Sequence, residues 1–277
     1  MSFQEAKREN DSVIYHPNNF VHFDGKYMLS VDEICDAITY AIEECDNTNP
    51  RVHTNSSKIR SSKEIFFDQL TGKLGEFATY EATKKINIIG RTEYPDINAM
   101  GRGAWDKGDL TVPIEGKNAT ENWQVKTPDL PYSQFLLLET NAYDFDGNYK
   151  YSPDGKEREE SFDKFVLQRI DYDKKSELLN NFFSHKDEFL KDKNSIKNKV
   201  SAILEKYHSS LPKVTYEIPY YISKQELKNE VIKRLHIMSR NQHFAASLKY
   251  KGKGTVLQDT NYYVEVSNMH NLVEMDK

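Results

Sequence analysis

Trp105-Asp106-Lys107-Gly108-Asp109-Leu110-Thr111-Val112-Pro113-Ile114, then a polar turn, then Trp123-Gln124-Val125-Lys126: this stretch decides how the chain is read. Alternating apolar and polar residues on either side of the turn predict two short strands, about 110–114 and 122–126, joined as a hairpin. The two-residue strand period places Gln124 and Lys126 on one face, with Val125 turned away. Asp109 stands at the start of the first strand. An acid, an amide oxygen and a lysine on one sheet face can hold a divalent metal against a phosphate. Phosphodiester hydrolysis needs an activated water, neutralised phosphate charge and a stabilised leaving oxygen, and one or two Mg²⁺ ions supply much of that. Mg²⁺ prefers hard oxygen ligands and keeps several waters. Asp109 is therefore expected as a ligand, and Gln124 as a weaker one through its carbonyl oxygen or a water beyond it. Lys126 is expected to orient the attacking water or touch the scissile phosphate.

The pattern resembles the PD-(D/E)XK superfamily of restriction-endonuclease-like nucleases, whose motif is an acid at the start of one strand and acid-x-Lys on the next. Asp109 matches the first position and Lys126 the last. Gln124 stands where the family usually has Asp or Glu, and Gly108 where it has Pro. Members of that superfamily often add a Glu from the preceding helix. In Lys73-Leu74-Gly75-Glu76-Phe77-Ala78-Thr79-Tyr80-Glu81, Glu76 fits that role and would restore the carboxylate that Gln124 lacks, with Glu81 as an outer alternative. Gly75 would let the helix pass close to the sheet. The resemblance implies catalytic Glu76, Asp109, Gln124 and Lys126, with Glu76, Asp109 and Gln124 on Mg²⁺ or a substituting Mn²⁺. It implies an α/β fold, a restriction-endonuclease-like central mixed sheet flanked by helices and carrying helical insertions. It further implies an endodeoxyribonuclease of restriction, phage or defence type, acting on double-stranded DNA as a homodimer. The competing expectation, motivated by Gln124, is a catalytically weak or inactive DNA-binding protein on the same fold.

Working outward, Ser30-Val31-Asp32-Glu33 is a capping box ahead of a helix from about Val31 to Cys45. A second helix is expected from Ser62 or Thr71 to Lys85. Phe135–Leu138 reads as a buried segment, and Phe165–Ile170, Thr215–Ile222 and Tyr262–Val266 read as strands. The charged region 172–212 is expected as a helical insertion and 1–60 as an N-terminal helical region. Ser223-Lys224-Gln225-Glu226 is expected to cap a helix running to about Ser239. No Pro- or Gly-rich linker divides the 277 residues, so one domain is expected.

Two cysteines, Cys35 and Cys45, sit on one expected helix and in no C-x-x-C pair, which argues against a zinc site or a disulfide framework. No segment has the length and apolarity of a membrane span, and Met1–Arg8 lacks a signal-peptide core, so a cytoplasmic location is expected. H-E-x-x-H, the phosphate-binding G-x-x-x-x-G-K-[ST] loop and G-x-S-x-G are all absent. The net charge of −5 does not advertise a nucleic-acid binder, but between Lys224 and Lys253 eight Lys or Arg face two acids. Lys233, Arg234, Arg240, Asn241, Gln242, Lys249, Lys251 and Lys253 are the candidate DNA contacts there; a solvated helix face and a lysine-rich turn is the blander reading. Arg240-Asn241-Gln242 has the residue types that read base edges and is expected at a helix end. Pro95-Asp96 and Pro128-Asp129 read as turn formers, and Asp106 as part of the turn before the strand.

Overall fold

Ser30 donates its backbone N–H to Glu33 Oε2 (2.7 Å) and its Oγ accepts the Glu33 N–H (3.3 Å), the reciprocal pair that launches the first helix. A computed structural model of the chain describes residues 6–9, 14–47, 61–86, 92–97, 109–114, 119–150, 161–207, 211–244, 255–257 and 259–276. In chain order, β1 (Lys7–Glu9), β2 (Ile14–His16) and β3 (Tyr27–Met28) precede α1 (Val31–Asn47) and α2 (Ser62–Ile86). Next come β4 (Leu110–Pro113), β5 (Thr120–Lys126), β6 (Phe135–Glu139), β7 (Lys164–Leu167) and β8 (Ile170–Asp171). α3 (Glu177–Ser184), α4 (Lys186–Leu190) and α5 (Ile196–Lys206) form the helical stretch. β9 (Thr215–Tyr216), β10 (Tyr220–Ser223), α6 (Lys224–Glu226), β11 (Ile237–Met238), β12 (His243–Phe244), β13 (Thr255–Val256), β14 (Asn261–Glu265) and β15 (His270–Asn271) complete the chain. The class is mixed α/β.

The sheet that carries the hairpin has the order β15-β10-β7-β5-β4, with β5 and β7 parallel and the other neighbours antiparallel. Pro113 lies on the edge strand β4, where a missing N–H costs no ladder bond. All four β7 residues are buried, as a strand covered on both faces requires. Trp123, Val125 and Val166 face a cluster against which Tyr80 and Ile86 of α2 pack. Phe165 and Leu167 face the opposite cluster, with Leu136, Leu138, Tyr143, Leu227 and Ile232. α1, α3 and α5 close over the outer side of α2 through Ile38, Ala41, Phe66, Leu70, Phe182, Val200 and Leu204.

Several expected boundaries shift, each for a local reason. α2 starts at Ser62, because Ser61 and Glu64 form a second capping box (Ser61 N–H to Glu64 Oε2, 2.8 Å; Glu64 N–H to Ser61 Oγ, 3.2 Å). The described residues ahead of Val31 form strands, not helix. The segment 165–170 splits into β7 and β8, and 215–222 splits into β9 and β10, each pair divided between two sheets. Pro219 breaks the second. At the crossing the buried Gln168 donates to Glu217 O (3.0 Å) and the buried Arg169 pairs with the Glu217 carboxylate. The helix capped by Ser223 and Glu226 continues only to Ile232, as a π-helical turn over Leu227–Ile232. Ile237 and Met238 are instead drawn into the sheet with β14, so tertiary pairing overrides the helical pattern.

Candidate functional site

The hairpin forms as the sequence leads one to expect. Leu110 pairs with Trp123 and Pro113 with Thr120, and Ile114 N–H to Ala119 O (3.0 Å) closes the turn end. By that register Asp109 stands opposite Gln124. Asp109 holds β5 twice: its N–H donates to Trp123 O (3.1 Å), and its Oδ2 accepts the Val125 N–H (2.5 Å). Backbone and carboxylate thus clamp the strand on either side of Gln124. Asp109 is a partly buried residue packed closely by protein, and this desolvation raises its carboxyl above the usual range. Lys126, the Val125 N–H and Lys73 oppose that rise in decreasing order.

Gln124 is 6% exposed and its Oε1 accepts the hydroxyl of Tyr143. Tyr143 is buried, which pushes its hydroxyl well above its ordinary pKa, so it serves as a neutral donor. Strand pairing sets Gln124 beside Phe165 and Lys126 beside Leu167, on the face away from α2.

Glu76 comes from the helix side. Its Oε2 lies 2.6 Å from Lys73 Nζ, and Lys73 is 2% exposed. Lys73 also donates to Asp96 O (2.8 Å) and sits 4.2 Å above the Tyr40 ring. Gly75 is the contact between helix and strand end: a Cβ there would lie 1.7 Å from Thr127 Oγ1 and 2.8 Å from Thr127 Cβ. Thr127 follows Lys126 directly, so no other residue lets α2 come this near β5. Thr127 Oγ1 itself is buried with no hydrogen-bond partner.

Asp109, Gln124 and Lys126 therefore share one hairpin, while Glu76 lies on α2, paired with Lys73. Among the described residues no three His, Cys, Asp or Glu stand together. The oxygen donors on offer are two carboxylates, Asp109 and Glu76, and one amide, Gln124. Two lysines, Lys73 and Lys126, are interleaved with them. Neither Lys73 nor Tyr143 was singled out by sequence reasoning. Lys73 left a trace in its three-residue spacing from Glu76 on a helix; nothing in the local text marks Tyr143. Glu81, the outer alternative, pairs with Lys84 on the helix surface.

Of the candidate DNA contacts, Lys233 and Arg234 are exposed just after the π-helical turn, next to Asn229 (3.0 Å) and Glu230 (3.1 Å) respectively. Arg240, Asn241 and Gln242 do not end a helix. They form the turn between β11 and β12, with Asn241 at φ 67° and Gln242 Oε1 accepting the Ser239 N–H (2.6 Å). Lys249, Lys251 and Lys253 lie outside the described residues, as does Asp106. Asp129 pairs with Lys174 at the surface (2.6 Å), and the Asp96 carbonyl serves Lys73, so neither acid of the two Pro-Asp pairs is placed on the hairpin. Compared with protein-family models, curated proteins and solved structures, the chain matches none.

Proposed function

We propose that this chain is a metal-dependent endonuclease of the PD-(D/E)XK, restriction-endonuclease-like kind, hydrolysing phosphodiester bonds of double-stranded DNA as a cytoplasmic homodimer in restriction or defence. The observation that carries the reading is the clamp of Asp109 across Gln124, with Lys126 as the largest counter-charge on Asp109. A mixed sheet with β5 and β7 parallel, and α2 seated against the end of β5 at Gly75, supports it.

The residues that would hold a divalent cation under this reading are the carboxylates Asp109 and Glu76. Burial raises the Asp109 carboxyl above its usual range despite Lys126 and Lys73, and an additional positive charge there would relieve that penalty. Asp109 and Glu76 would hold Mg²⁺ or Mn²⁺, with Gln124 contributing an amide oxygen or orienting a water. The bound cation supplies charge neutralisation for the phosphate and lowers the pKa of a water. Within the chain, Tyr143 fixes the Gln124 amide, Asp109 fixes the strand, and Lys126 orients the attacking water or steadies the phosphate.

A second reading keeps the DNA-binding surface and drops catalysis. It is favoured by the occupied donors: Gln124 Oε1 accepts from Tyr143 and Glu76 Oε2 from Lys73. Supercoiled plasmid incubated with Mg²⁺ separates the two. Relaxation by wild type, abolished by chelation and by Lys126→Ala, supports the enzyme. DNA retained on the protein but left intact across plasmid, methylated and hydroxymethylated substrates supports the binding module.

A further inference from the structure

Two carboxyl groups face each other where the start of α1 meets α2. Glu33 is 7% exposed in the first turn of α1, and Glu81 is a partly buried residue of α2. Their side chains stand within hydrogen-bonding reach of each other. Glu81 lies five residues beyond Glu76, a rotation of roughly 140° around the helix, so the two acids leave α2 on different sides. Glu33 Oε2 accepts the Ser30 N–H (2.7 Å) and the Ser30 hydroxyl (2.7 Å), and Glu81 Oε1 takes Lys84 Nζ. Each carboxylate keeps a second oxygen beyond these bonds. Burial raises the Glu33 carboxyl above its ordinary range; the Ser30 bonds oppose that rise and the Glu81 charge adds to it. The third member comes from β9. Tyr216 is fully buried, and its hydroxyl has no hydrogen-bond partner. That hydroxyl is pushed up by burial first and then by the charges of Glu81 and Glu33, so its oxygen faces the pair. Tyr27, its partner on β3, packs against the Tyr216 ring (centroids 5.6 Å apart).

The surroundings decide what such a group would hold. Among the described residues Lys84 is the one cation ion-paired with either acid, and its side chain is half in solvent. Lys85 lies over the Tyr27 ring (5.2 Å). Two carboxylates against one paired lysine retain net negative charge. Buried hydroxyls in folded proteins find partners, yet Tyr216 turns its oxygen on two acids without bonding either. A phenol kept neutral by burial offers its lone pairs to a cation at the same point. The three donors are all oxygens, with no sulfur or imidazole among them, which selects a hard ion over a transition metal. Ca²⁺ suits such an irregular set, because it accepts about six to eight oxygens in flexible geometry with water completing the shell, whereas Mg²⁺ demands a near-ideal octahedron.

We propose that Glu33, Glu81 and the Tyr216 hydroxyl form a site for a hard divalent cation of the Ca²⁺ class, which ties the start of α1 to α2 and β9. The site is separate from the Asp109 hairpin and does not rest on the nuclease reading. The test titrates Ca²⁺ by calorimetry into the full chain at neutral pH, as wild type and as Asp109→Asn, with Tm followed in parallel. Saturable binding and a rise in Tm are expected in both, because the ion is held away from Asp109. Glu33→Gln keeps the capping box with Ser30, since Gln serves at that position, and Glu81→Gln keeps the side-chain shape. Each is expected to weaken Ca²⁺ binding at least about 10-fold with circular dichroism unchanged. Tyr216→Phe, which removes the hydroxyl alone, is expected to weaken it as well. Binding in wild type is further expected to weaken as pH falls, because protons compete for the carboxylates. Wild-type Ca²⁺ affinity in both Gln variants, or binding lost in Asp109→Asn alone, would overturn the site. No Ca²⁺ bound by any form, with a Tm that rises on acidification in wild type and not in Glu33→Gln, would make the pair one that shares a proton and overturn it equally.

Discussion

Asp109 is a residue whose charge the fold holds at a cost. Its carboxyl is raised by burial, so the folded state binds a proton more tightly than the unfolded chain, whose carboxyl titrates near 3.8. Stability is therefore lost as pH rises from about 3.8 through the raised folded value, and the penalty is complete above it. Asp109→Asn keeps an oxygen for the Val125 N–H and removes the charge. The expected result is a higher Tm than wild type at neutral pH, with the gain shrinking towards zero as pH falls to 4 and below. A variant melting below wild type at pH 7 would contradict this account of Asp109. Lys73 is the complementary case: a buried cation satisfied by Glu76, the Asp96 carbonyl and the Tyr40 ring. Lys73→Met removes the buried cation from Glu76, the Asp96 carbonyl and the Tyr40 ring together and is expected to destabilise by about 3 kcal/mol, measured by urea unfolding.

The contact between α2 and β5 decides whether the site assembles. Gly75 lies inside a helix, where Gly→Ala ordinarily stabilises by up to ~1 kcal/mol. Here the added Cβ meets Thr127 at 1.7 Å, so the sign reverses. Gly75→Ala is expected to cost about 1–3 kcal/mol in urea unfolding, with Thr127→Gly restoring part of it. The hairpin, the Ser30 capping box and both cysteines on α1 were legible in the sequence because each rests on a local residue pattern, and the closeness was legible from a glycine inside a helical stretch, although its partner Thr127 lies on another element. The failures have long-range causes. The helix after Ser223 stops early because β14 recruits Ile237 and Met238 from elsewhere in the chain. The Arg240–Gln242 run becomes a turn for the same reason. Tyr143 and Lys73 enter the site through partners on other elements, Gln124 and Asp96, which no spacing rule reveals.

At the scale of the molecule, one buried ion pair ties the sheets together. Arg169 pairs with Glu217 where two strands change sheets, and its remaining N–H groups reach Val21 O (2.9 Å), Ser133 O (3.2 Å) and His22 O (3.2 Å). Removing one partner leaves the other buried and uncompensated, so Arg169→Met is expected to destabilise by about 3–5 kcal/mol. The variant is expected to lower Tm accordingly, read by thermal unfolding. What the molecule does is a separate question from what holds it together, and it turns on Asp109. The most direct measurement is the single-turnover rate of supercoiled-plasmid relaxation in Mg²⁺ by wild type and by Asp109→Ala, at matched folded concentration. The account predicts relaxation by wild type and a fall of at least about 100-fold in the variant; equal rates, or intact plasmid with both, would contradict it.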